Sequence, residues 1–240
     1  MTGWIWRGLR RGIVTTGYPH RSDGMPSGYR GRVKALDASQ DDQHRGAAAC
    51  PTGAIHPGEG RAAVDRRRCI QCGQCARVAP MAFAMENAFA IAQVVDAARV
   101  RAVRTFRRSI HLRHVDTGSD GSEEQELQAM FNPFYDANRL GIFMTATPRH
   151  ADVLIVTGPV THAMKTPLER AYEAMPDPKI VIALGTTACS GGILSGDAIV
   201  GPVDRVLPVD VYIPGSPPAP LTILHGILAA LGRVAEDVAP

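Results

Sequence analysis

The sequence predicts an α/β protein of two units: a small, loop-rich α+β unit, then an open and mostly parallel sheet flanked by helices. Three observations predict it. Four of the five cysteines fall between residues 50 and 75. The region around them, residues 1–92, is rich in Gly, Pro and Arg and has little apolar periodicity. From Ser109 onward, compact apolar runs alternate with stretches of helical spacing. Charge divides near the same place: residues 1–115 hold 19 Lys and Arg against 8 Asp and Glu, and residues 116–240 hold 7 against 15. Such asymmetry points to two units in different electrostatic surroundings.

The elements follow in order. A small unit with few periodic segments needs a metal or a disulfide to hold it together. Residues 93–109, which enclose a basic stretch running from Val94 to Arg108, read as a helix or linker. In the unit over residues 110–240, Ile110 to Val115 alternates as a half-buried strand does. Leu140 to Thr145, Val153 to Thr157, Ile180 to Leu184 and Val206 to Tyr212 are apolar runs typical of parallel strands covered on both faces. Lys165 to Met175 and Leu221 to Leu231 have helical spacing. Strands alternating with helices give an open parallel sheet of the flavodoxin-like kind.

Composition narrows the function. At 45% hydrophobic and 20% charged residues the chain is globular rather than disordered. No apolar run approaches the ~18 residues of a membrane span. The N-terminus lacks the apolar core and cleavage site of a secretory signal, so the chain is expected in the cytoplasm. Aromatic residues at 5% and the lack of a stacking motif argue against a nucleic-acid partner. The chain has no G-x-G-x-x-G fingerprint and is not expected to bind NAD itself.

The cysteines carry the chemistry. Cys69, Cys72 and Cys75 have the C-x2-C-x2-C spacing of bacterial ferredoxins, with Gly73 permitting a tight turn. In two-cluster ferredoxins the run ends in a fourth Cys followed by Pro, and that Cys ligates the other cluster. Here the second run ends in Ala79-Pro80, while the end of a first run survives as Cys50-Pro51. Counting back from Cys50, the three expected Cys slots hold Gln40, Gln43 and Gly46. One cluster has thus lost all four ligands, and the other keeps Cys50, Cys69, Cys72 and Cys75. The expectation is a ferredoxin-like N-terminal unit with one 4Fe–4S cluster on those four residues. Zinc sites use paired C-x2-4-C hooks, and the odd count of five in a cytoplasmic chain disfavours a disulfide framework.

Two resemblances extend this reading. Residues Trp6 to Pro19 resemble the leader of ferredoxin-type subunits in membrane-bound energy-converting hydrogenases and formate hydrogenlyases. Trp4 and Trp6 beside arginines suit either docking under a membrane arm or packing in a small core. The segments Thr147 to Thr161, Ala174 to Lys179, Ala183 to Gly192 and Ile213 to Pro218 resemble, in order, the B-type subunit of NADH:quinone oxidoreductase and the small subunit of energy-converting nickel–iron hydrogenases. The resemblance implies a subunit of a membrane-associated complex. Its partners would be a hydrogenase-type large subunit and membrane subunits, and it would sit peripherally on the inner face of the cell membrane. Contact with the membrane would come through those partners or the basic N-terminal arm.

In that family the domain holds a further 4Fe–4S cluster. The four ligand slots here hold Asp120, Glu123, Thr187 and Ser216, each following the carboxyl end of an expected strand. The expected cradle remains but its thiols do not. Two carboxylates and two hydroxyls could suit Mg²⁺ or Ca²⁺, but the favoured reading is solvated or mutually bonded polar groups. Cys189 is expected to be a small buried residue, His150 and His162 structural, and Arg149 a packing or partner contact. With that cluster gone the complex is not expected to be a conventional hydrogenase. The chain would be an electron-transfer subunit without a catalytic site of its own, or, alternatively, a non-redox subunit whose cluster only stabilises the fold.

Overall fold

The computed structural model describes residues 3–21, 24–95 and 109–235. The stretch over 96–108, read from sequence as a basic helix or linker, lies outside the described residues. Helix α1 (Gly3–Arg11) precedes the first unit, whose elements are β1 (Arg32–Ala35), α2 (Gln40–Ala48), β2 (Ile55–His56), β3 (Ala63–Val64), α3 (Gln74–Val78) and β4 (Phe83–Glu86). Strands β1 and β4 pair antiparallel, as do β2 and β3. The Ser39 side chain caps α2 by accepting from the Asp42 N–H. The core of this unit is slight, comprising Val33, Ile55, Ala62, Cys75, Ala79, Ala82 and Phe83.

The second unit begins before the expected linker ends. Strand β5 (Gln93–Val94) leaves the first unit and pairs antiparallel with Val211 and Tyr212, forming one edge of the large sheet. The chain continues through β6 (Ile110–Asp116), α4 (Ser122–Ala129), β7 (Ile142–Met144), β8 (Val153–Thr157), β9 (Val160–Thr161) and α5 (His162–Ala174). It closes with β10 (Ile180–Leu184), α6 (Thr186–Ser190), β11 (Ile199–Gly201), β12 (Val211–Ile213) and α7 (Pro220–Ala230). The sheet order is β5-β12-β10-β8-β6-β7, parallel apart from β5. Strands β8 and β10 are buried at every residue, as continuous β-branched runs in a doubly covered sheet must be. Helix α7 packs on one face beside α4, buried along its whole length, and α5 covers the other through Leu168.

Two expected strands are shorter than the apolar runs suggest. Only Val211–Ile213 of the Val206 to Tyr212 run is strand, extended by one residue past its expected end. Pro208 lacks an N–H for the ladder, and the buried Asp210 carboxylate instead accepts from the Val181 N–H at 2.8 Å. Likewise Ala137–Leu140 forms a 3-10 turn, so β7 starts only after Gly141, whose φ is 76°.

The N-terminal arm crosses onto the second unit. The Thr16 N–H donates to Phe134 O at 2.8 Å, and Arg139 donates to Thr16 O and Tyr18 O at 2.8 and 2.6 Å. Tyr18 enters the core below α7, with its Oη 2.6 Å from His225 Nδ1 and its ring edge-on to Phe89. Burial pushes its phenol up to about 12.

Candidate metal centre

Cys50 follows the C-terminal end of α2, Cys69 and Cys72 lie in the loop after β3, and Cys75 sits in the first turn of α3. The loop can turn there because Gln71 and Gly73 adopt left-handed backbone, with φ of 57° and 75°. None of the five cysteines forms a disulfide. Cys50, Cys69, Cys72 and Cys75 line one pocket walled by Val33, Ile55 and Val64, while Cys189 lies in the core of the second unit.

The four sulfurs differ in environment. Burial raises the Cys50 thiol, but the Thr52 hydroxyl and the backbone N–H groups of Ala54, Thr52 and Gly53 together hold it below its ordinary value. The Ala54 N–H lies 3.3 Å from Cys50 Sγ. Burial pushes Cys69 up to about 11 and raises Cys75, each opposed by a backbone N–H (Gln71 and Ala76) and reinforced by the neighbouring cysteines. Cys69 and Cys75 are thus neutral thiols by themselves, and would ionise together only around a positive centre. Among the described residues no three His, Cys, Asp or Glu side chains gather around a position for a single metal ion. Four soft donors lining one pocket, with N–H groups aimed at sulfur, fit an iron–sulfur group.

Of the four positions where a further first-unit cluster would need cysteine, Gln43, Gly46 and Ala79 are buried in the packing and Gln40 is exposed. Gln43 is fully buried, donating to Ala38 O at 3.1 Å and accepting from the Gly58 N–H at 2.9 Å. Gln40 donates to Gly58 O. The Phe83 ring lies against Gly46, where a Cβ would stand 2.2 Å from Phe83 Cε2, and Ala79 is fully buried.

The slots of the second unit are treated differently. Register places Asp116, Thr157, Leu184 and Ile213 side by side at the carboxyl ends of β6, β8, β10 and β12. Buried Glu123 reaches into the loops beyond them, where Thr187 Oγ1 donates to its Oε1 at 3.2 Å and Ser122 Oγ to its Oε2 at 3.2 Å. A Cβ on Gly185 would stand 2.5 Å from Glu123 Oε1. The cradle beyond the strand ends is therefore occupied by the chain's own carboxyl group, bonded to the hydroxyl of Thr187. Asp120 turns back to accept from the Ser122 N–H and hydroxyl, and Ser216 is exposed. Of the four slots, then, only Glu123 and Thr187 come together.

Burial raises the Glu123 carboxyl above its ordinary value, with Asp120 adding to the effect, against hydrogen bonds from its own backbone N–H, Ser122 and Thr187. Below the unfolded carboxyl value of about 4.3, Glu123 is protonated in both states. Above it the unfolded chain ionises first, so stability falls as pH rises towards the folded value and is level beyond. Glu123→Gln keeps an acceptor for Thr187 and removes the titration. The variant should denature at a higher temperature than the parent at pH 7–8 and at the same temperature below about pH 4. Equal melting temperatures at every pH would refute this.

Sequence reasoning missed the residue that joins the two sites. Thr186 Oγ1 donates to Cys69 O at 3.2 Å and accepts from the Gly215 N–H at 3.1 Å, while the Thr186 N–H donates to Gly215 O at 2.7 Å. Arg67 stacks over the Tyr212 ring at 3.9 Å on the same side. The cysteine loop thus sits on the carboxyl edge of the large sheet. Sequence reasoning also missed a cluster at that edge, in which Thr157 Oγ1 donates to Glu124 and lies 2.9 Å from His114 Nε2, with Ser119 donating to Glu124. A threonine after a parallel strand carries no signal until the strand order is known.

Comparison with known proteins agrees with this architecture. Residues 64–130 match the 4Fe–4S single cluster domain of ferredoxin I, and residues 121–230 match the family of the NADH ubiquinone oxidoreductase 20 kDa subunit. The chain is an iron–sulfur protein in which a 4Fe–4S domain is joined to an open α/β domain. It belongs to the NADH:ubiquinone oxidoreductase 20 kDa subunit family. It is 44% identical over 132 residues to "Probable membrane-bound hydrogenase subunit mbhJ" of Pyrococcus furiosus, which covers 55% of this chain and 79% of that protein. It is 43% identical over 137 residues to formate hydrogenlyase subunit 7 of Escherichia coli, over 57% of this chain and 54% of that protein. The B-type subunit of NADH-quinone oxidoreductase from Citrifermentans bemidjiense is 43% identical over 112 residues, or 47% of this chain and 66% of that one. The chain spans about half the length of the formate hydrogenlyase subunit.

Proposed function

We propose that this chain is an electron-transfer subunit of a membrane-associated complex related to NADH:quinone oxidoreductase and the energy-converting hydrogenases. Its single 4Fe–4S cluster is held by Cys50, Cys69, Cys72 and Cys75, and its α/β domain is a cluster-free scaffold for a hydrogenase-type large subunit. Membrane subunits complete the assembly, which sits peripherally on the cytoplasmic face of the cell membrane. The observation that carries the reading is the four-thiol pocket joined to the carboxyl edge of the sheet through Thr186. The named relatives support the setting, since they are hydrogenase, formate hydrogenlyase and quinone oxidoreductase subunits. Among the described residues no helix is long and apolar enough to cross a membrane.

Each part of the site has a task. A cubane bound by the four cysteines supplies one-electron transfer. The N–H groups of Thr52, Gly53 and Ala54 stabilise negative charge on Cys50 sulfur, and Val33, Ile55 and Val64 keep water from the pocket. Thr186 fixes the Cys69 loop against the sheet edge, so the distance from the thiol pocket to a partner docked there is set by the fold. Glu123 and Thr187 close the second cradle without a redox group.

A potentiometric titration followed by electron paramagnetic resonance tests the reading. Reduction should produce a signal integrating to a single unpaired electron per chain, at a potential within the broad range of such clusters, about −700 to +450 mV. A cluster that is present but silent across the physiological range would make its role structural and overturn electron transfer.

A further inference from the structure

Among the described residues, none buries helix α1. None of its residues is buried, and Trp4, Trp6 and Leu9 are 74%, 65% and 70% exposed. Ile5 and Ile13 are exposed as well. The helix ends at Gly12, whose φ is 63°. The arm is fastened from Thr15 on, where Thr15 Oγ1 donates to Pro133 O at 2.9 Å. The helix is thus held close to the protein's surface with its two faces exposed among the described residues.

Its two faces differ in chemistry. At 100° per residue, Ile5, Trp6 and Leu9 fall within an arc of about 100°. Arg7, Arg10 and Arg11 fall within an opposing arc of about 100°, with Trp4 at its border. No Asp or Glu occurs before Asp23, so nothing in the arm neutralises these arginines. A nine-residue helix of this composition is marginal in water and gains order from the surface it lies on. A protein groove would cover the apolar arc and leave the arginines facing solvent. A surface with apolar interior and anionic headgroups satisfies both arcs at once, and tryptophan favours that boundary.

We propose that α1 lies in the plane of an anionic lipid surface, with Ile5, Trp6 and Leu9 entering the acyl boundary and Arg7, Arg10 and Arg11 on phosphate headgroups. This deepens the proposed membrane association by giving the chain a lipid contact of its own. It does not depend on the cluster, and iron content and the paramagnetic signal report separately on the electron-transfer reading.

Trp4 and Trp6 are the chain's two tryptophans, so all of its tryptophan emission comes from α1. The full chain carrying its cluster is mixed with vesicles of phosphatidylglycerol and phosphatidylcholine, or of phosphatidylcholine alone. The anionic vesicles should shift the emission to shorter wavelength and sediment the protein. Binding should be about tenfold or more weaker with the neutral vesicles and in high salt. The triple variant R7E/R10E/R11E, altered only at exposed positions, should keep its iron and lose the binding. No shift with anionic vesicles, an equal shift with neutral ones, or unchanged binding by the triple variant would each overturn the proposal. So would capture of α1 by a purified large subunit with no affinity for lipid, which would make it a protein-docking helix.

Discussion

Replacing Cys50 with serine should lower bound iron and sulfide from about four each per chain to less than one, and the same change at Cys69, Cys72 or Cys75 should do likewise. Cys50 is the discriminating position. The matched iron–sulfur segment begins at residue 64, beyond it, and after Cys75 the next cysteine is Cys189. Cys189 is buried in the core of the second unit, outside the thiol pocket, its Sγ 3.4 Å from Ala183 O, and burial pushes its thiol far up. A fourth thiol for the pocket therefore has to come from upstream. The effect should extend to stability, because three of the seven buried residues of the small core are alanines. Such a core supplies little burial energy, and metal ligation stabilises small domains by ~10 kcal/mol. Residues 32–86 of each Cys→Ser variant should become protease-sensitive, while the second unit, with β5 at its edge, keeps its fold. Cys189→Ala should retain full iron. A Cys50→Ser protein that still binds four irons would show the ligand set to be wrong, and about eight irons in the parent would show that an emptied site is not empty.

The physical origin of each feature decided how much of it was legible. Val153 to Thr157 and Ile180 to Leu184 match their strands residue for residue, because a strand covered on both faces must be apolar throughout. Cysteine spacing was legible because ligand geometry is local. What depends on strand order was not. The partnership of Thr186 with Cys69 joins positions 117 apart in sequence, and Thr187 and Glu123 are 64 apart. Tyr18 reads as part of a polar arm, yet it anchors in the core beside His225, and β5 turns the start of an apparent linker into a sheet edge. Spacing alone gives the ligands that are missing. The side chains now filling their space become visible only when α2 and β4 are packed together.

That packing carries the other large prediction. Gly46 lies within α2, where Gly→Ala at an unconstrained position stabilises by about 0.5–1 kcal/mol through lower backbone entropy. Here the added Cβ would stand 2.2 Å from Phe83 Cε2 and 2.7 Å from Cδ2, and Phe83 is itself 1% exposed with no room to retreat. Overpacking of this kind costs about 1–3 kcal/mol, enough to reverse the helical gain. Gly46→Ala should therefore destabilise the first unit, against its propensity. Phe83→Leu alone should also destabilise, by leaving a cavity. In combination the smaller residue gives the new methyl its space, and the double variant should be more stable than the two single effects added together by about 1–3 kcal/mol. Thermal unfolding of the holoprotein, monitored by loss of cluster absorbance, measures all four corners of this cycle. If Gly46→Ala proved more stable than the parent, Phe83 would not be packed against Gly46, and the site emptied of its cysteines would still have room for a cluster.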